Sequence, residues 1–161
     1  MGWDVWKGRR ETAARDTAIA NAIASDIEAN KARIQNNLRI VNAELAILAQ
    51  DKSVIEPLIL MNVGFWDIAK INPPQELFTS GKLAKLSALI AATETVNEQV
   101  RSRESYKLHN GAMDNFSRRV QIYDEMLVRS TTRMSEMIAA YEASDAQQTV
   151  PADGLASRGR G

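Results

Sequence analysis

The chain contains no cysteine. Disulfides, thiolate catalysis, iron–sulfur clusters and cysteine-ligated zinc are therefore excluded. Histidine occurs once, as His109, which removes His-rich metal sites and leaves one imidazole for any triad that needs one. Neither sign of charge is in excess: 20 Lys and Arg balance 20 Asp and Glu, whereas a general nucleic-acid binder carries a clear basic surplus. No run of about 18 apolar residues is present, so no spanning helix is expected. The most apolar window, Val54 to Trp66, is broken by Glu56, Pro57, Asn62 and Gly64, which suits core packing. Met1 to Arg10 lacks the apolar centre of a secretory signal. A length of 161 residues fits one domain with a modest core.

What is present is helical periodicity. From about Arg9 to Lys52, Ile19, Ile23, Ile27, Ile34, Leu38, Val41, Leu45 and Leu48 recur at steps of three, four or seven, the helical repeat. Ile40 and Ile47 widen the stripe in its second half. The N-terminal half is rich in alanine (Ala13, Ala14, Ala18, Ala20, Ala22, Ala24, Ala29), which favours helix but buries little area. It reads as a stalk, on a helix roughly 65 Å long. Glu56-Pro57 is expected to stop this helix, because the residue before proline is pushed out of the α region. An irregular apolar stretch follows to about Gly81, with single helical turns expected at Phe65 to Lys70 and at Gln75 to Phe78, the latter with a proline at its start. It should fold back over the bundle.

A second long helix is expected from Ser80 or Lys82 to about Leu108, with Leu83, Leu86, Leu89, Ile90, Val96 and Val100 on its apolar face. Asn110-Gly111 reads as a left-handed stop. In the third helix Phe116, Val120, Tyr123, Leu127, Ser130, Met134, Met137 and Tyr141 alternate steps of four and three, an a/d seam, and Asp114 or Asn115 can cap its start. The tight turn makes the last two helices antiparallel. The expected fold is all-α: an antiparallel three-helix bundle with an extended Ala-rich N-terminal helix and a short irregular apolar segment packed on it. Residues 1–26 form the stalk, 27–143 the bundle, and the small, polar, Gly-rich residues 144–161 a disordered tail.

Four groups of side chains are candidates for function. Trp3, Trp6, Lys7, Arg9 and Arg10 resemble the inner end of a membrane span, interfacial tryptophans followed by basic residues; the alternative is a frayed helix start packing on a neighbour. Arg101, Arg103 and Lys107 with Arg118 and Arg119 fall toward the same end of two helices and are candidates for a basic patch that meets phosphate or an acidic partner; the alternative is a solvated surface laced with Glu104 and Asp114. Met134, Met137 and Tyr141 are candidates for a homodimer seam, with core packing the default. His109 beside Asn110-Gly111 suits a helix end, where an imidazolium meets the negative pole of the dipole. The acidic pairs Asp124-Glu125, Glu94 with Glu98, and Glu136 with Glu142 lack the Glu-x-x-His motifs of di-iron bundles. No Walker A pattern occurs, and no nucleophile or oxyanion motif accompanies His109. We therefore expect no enzyme, no cofactor, no metal and no small-molecule substrate.

The chain resembles a loose group of uncharacterised bacterial and archaeal membrane-anchored helical proteins. The residues that carry the resemblance are Gly2-Trp3 through Arg10-Glu11, Ser25 to Asp51, Ile55-Glu56-Pro57-Leu58, Phe65-Trp66-Asp67, Tyr106 to Met113 and Tyr123-Asp124-Glu125. In that group a short N-terminal span leads into a basic stretch, a long helix, an apolar Trp-acidic segment and a helical hairpin; the span is absent here. The resemblance implies architecture and supplies no chemistry. The expected function is a non-enzymatic helical scaffold or interaction protein at the cytoplasmic face of a membrane, with a protein partner or a second copy of itself. The alternative is a small helical subunit of a nucleoprotein complex using the basic patch on phosphates.

Overall fold

The computed structural model describes residues 2–50, 52–64, 66–71, 73–79 and 81–146. Five helices are present among them: α1 Gly2–Leu48, α2 Trp66–Ile71, α3 Gln75–Thr79, α4 Lys82–Asn110 and α5 Phe116–Ala146, with no strand. The fold is an all-α bundle of three long helices in which α5 packs along both α4 and α1. Lys31 of α1 meets Glu142 of α5 at 2.5 Å, while Glu44 and Asp124 share Arg103 further along. Thus α1 runs antiparallel to α5 and parallel to α4.

Two consecutive parallel helices need a return path. Residues 52–64 supply it as an extended strap that runs back between α1 and α4. The reversal also explains why α1 ends at Leu48 rather than at Glu56-Pro57. By Ser53 the chain is already bonded to Glu44, at 2.5 Å, and the Val54 carbonyl to Lys107, at 2.6 Å. Beyond the strap, α2 and α3 pack on α4. They bring Trp66, Ala69 and Leu77 into one core with Ile23, Ile27, Leu86, Ile90 and Met134.

Helix ends follow local chemistry. Gly81 precedes α4 at φ 69°, a left-handed conformation that glycine adopts without a Cβ penalty. Gly111, in contrast, sits at φ −58° and is no left-handed stop. The α4–α5 connection turns instead by successive bonds from Met113 N to Asn110 O (3.1 Å) and from Phe116 N to Met113 O (2.9 Å). Asn115 stands at the start of α5, its carbonyl accepting the first helical bond from Arg119 N at 3.0 Å.

The seam of α5 is offset from the expected one. Val120, Leu127, Met134 and Tyr141 are buried as the spacing predicts, but the intervening buried positions are Asp124, Thr131 and Ile138, not Tyr123, Ser130 and Met137. On α1, Ile19 is the first buried residue among the described side chains, and those from Gly8 to Arg15 are all exposed. Core contact thus begins within residues 1–26. Ser144, assigned by its composition to the tail, is helical; residues 147–161 lie outside the described set.

Candidate functional site

An extended segment laid between two helices has backbone groups that no sheet satisfies, and each one shielded from water needs a side-chain partner. Three asparagines supply them pairwise. Asn37 Nδ2 donates to Ile59 O at 2.7 Å, and Ile59 N donates back to Asn37 Oδ1 at 2.9 Å. Asn30 treats Asn62 the same way, at 2.8 and 2.6 Å. From the opposite wall, Asn97 of α4 grips Met61, at 3.0 and 2.6 Å. The register is geometric: seven helical residues from Asn30 to Asn37 rise about 10 Å, the reach of the three extended residues from Ile59 to Asn62. Asp26 accepts from Asn62 Nδ2 at 2.6 Å, Arg33 donates to Leu60 O at 3.1 Å, and Leu58 N donates to Glu104 at 3.4 Å.

Where the strap begins, a charge cluster is sealed inside the bundle. The Arg103 side chain is 0% exposed and donates in three directions: Nη2 to Glu44, Nη1 to Glu104, and Nε to Asp124 at 2.5 Å. Glu44 and Asp124 are likewise fully buried. Lys107 adds a second cation, 2.7 and 2.9 Å from the two Glu44 oxygens. Asp124 Oδ2 is buried with no hydrogen-bond partner. Burial pushes the Asp124 carboxyl up to about 6 against the downward pull of Arg103, and Glu44 raises it further. Every charge here meets another side chain of the same cluster, an arrangement that locks α1, α4, α5 and the strap together.

The structure therefore dismantles the expected basic patch. Arg103 is interior and Lys107 is spent on Glu44 and the Val54 carbonyl; only Arg101, Arg118 and Arg119 remain exposed. A guanidinium on a helix otherwise reads as surface, and the buried acids that hold this one, Glu44 and Asp124, lie on other helices. The expected homodimer seam is corrected too. Met134 and Tyr141 are buried within the chain's own core, and only Met137 is half-exposed. His109 is exposed at the end of α4, its Nδ1 2.8 Å from the Ser105 carbonyl. Arg9 and Arg10 are exposed. Trp3, Trp6 and Lys7 belong to α1, but their side chains lie outside the described residues.

A groove of about 540 Å³ runs along the outer face of the α4–α5 pair, floored by Ala88, Ala91 and Ala92 and flanked by Met126, Met137 and Arg133. Among the described residues no group of three or more acidic or histidine side chains is placed to hold a metal, and no helix is long and apolar enough to cross a membrane. No known protein family, curated protein or solved structure matches the chain.

Proposed function

We propose that the chain is a non-enzymatic helical scaffold, an interaction protein whose bundle stands off the cytoplasmic face of a membrane on its projecting first helix. The observation that carries this reading is the division of α1. Gly8 to Arg15 are exposed, α3 meets the helix at Asp16, which accepts from Gln75 N at 3.5 Å, and the same unbroken helix is clamped into the bundle from Ile19 onward. A projecting length with Trp3, Trp6, Lys7, Arg9 and Arg10 suits the headgroup region, where tryptophan is enriched and basic residues favour anionic lipid. The resemblance to membrane-anchored helical proteins supports the same reading. So does the commitment of Glu44, Arg103, Lys107 and Asp124 to one another, which suits a scaffold better than a reactive centre.

Vesicle flotation of the full chain tests it. Co-flotation with phosphatidylserine-containing vesicles is expected, weaker with neutral phosphatidylcholine vesicles and in high salt. Replacing Trp3 and Trp6 with alanine should reduce it. A chain that stays at the bottom of the gradient with anionic vesicles at low salt overturns the proposal.

A further inference from the structure

We propose that the groove between α4 and α5 is the contact between two copies of this chain, paired about a two-fold axis parallel to the helices. The first observation is electrostatic. Glu94 and Glu98 on α4, and Arg129 and Arg133 on α5, are exposed like-charge pairs four residues apart, a spacing that destabilises an isolated helix. Among the described residues no intrachain ion pair relieves them. The second observation is their height. The Gln99–Ser130 hydrogen bond, 2.5 Å, and the Thr93–Met134 contact, 3.7 Å, fix the level of α5 against α4. They set Glu98 level with Arg129 and Glu94 level with Arg133.

A two-fold axis along the bundle lays α4 of one copy against α5 of the other without changing those levels. The acidic pair of each copy then faces the basic pair of the other, so both repulsions are relieved twice over in one isologous contact. The same operation seats the half-exposed Met137 of one copy over the alanine floor of the other, and methionine adapts readily to such shallow slots. The surface differs from the Met134 and Tyr141 seam expected from sequence, which the core of a single chain consumes.

This inference rests on reading the chain as an interaction protein. Its test, sedimentation velocity of the full chain, is separate from vesicle binding, so each can fail alone. The wild type is expected to sediment as a dimer that weakens with added salt. Glu94→Arg with Glu98→Arg should give a monomer, and so should Arg129→Glu with Arg133→Glu; all four positions are exposed, and circular dichroism checks that the helices persist. Mixed in equal amounts, the two reversed chains face each other with opposite charge on both contacts and should recover a heterodimer. A wild type that is monomeric, or a dimer insensitive to salt, overturns the proposal. So does a dimer that survives either reversal, or a mixture that stays monomeric.

Discussion

Asn37 holds Ile59 by both its backbone groups, donating to the carbonyl at 2.7 Å and accepting from the amide at 2.9 Å. One side chain thereby does for an extended residue what a neighbouring strand does in a sheet. With Asn30 on Asn62 and Asn97 on Met61, the strap is held by both helical walls.

The clamps should differ in worth according to what water can replace. Ile59 is 46% exposed and Met61 is 3% exposed. Asn97→Leu strands buried groups and should cost about 2–3 kcal/mol, whereas Asn37→Leu lets water substitute and should cost about 1 kcal/mol. Denaturant midpoints measure both. Amide exchange gives an independent check: Ile59, Met61 and Asn62 should exchange as slowly as helical amides, and exposed Ile55 should exchange fast. Equal costs, or a strap that exchanges as one fast segment, contradict the clamp.

Arg103 is the hub of a buried cluster, so its removal leaves Asp124 an interior charge without its cation and Glu44 with Lys107 alone. Arg103→Met should lower stability by about 3–5 kcal/mol. Combining it with Glu44→Gln and Asp124→Asn should recover much of that loss, because the desolvated charges leave together. A triple variant no more stable than the single one would mean that Arg103 acts through packing.

The raised pKa of Asp124 has a definite sign. Its folded value of about 6 exceeds the ordinary 3.8, so its contribution to stability is full below about pH 4 and is lost as pH rises through 6. Relative to Asp124→Asn, the wild type should therefore gain on the order of 1–3 kcal/mol between pH 7 and pH 4. Urea midpoints of both proteins across that window check it. A difference that is flat, or that shrinks on acidification, would show the carboxylate to be well paired in its charged form.

The three long helices were legible because isoleucine, leucine and valine recur at the helical step, and the break between the short α2 and α3 because Pro73-Pro74 falls between them. The strap's apolar content was legible; its grip was not. Asp26, Asn30, Asn37 and Glu44 are polar residues on the buried side of α1, and a reading by hydrophobicity discounts them. Yet Asn30, Asn37 and Glu44 repeat at seven, and Asn97 and Glu104 do so on α4. A polar heptad beside an apolar one is the trace of an extended partner lying along the helix. The offset seam of α5 has the same origin. Tyr123, Ser130 and Met137 look more suited to a core than Asp124 and Thr131 do, and only the position of Arg103 on another helix inverts that order. Such pairings are made in space across 21 residues of sequence and leave no local mark.

In mechanical terms α1 is a cantilever. Its exposed length from Gly8 to Arg15 spans about 10 Å at the helical rise, while its root is clamped by core, strap and charge cluster. A force or constraint applied at the tip is therefore delivered to the bundle as torque rather than absorbed as slack. Whatever holds the tip sets the direction in which the α4–α5 face looks.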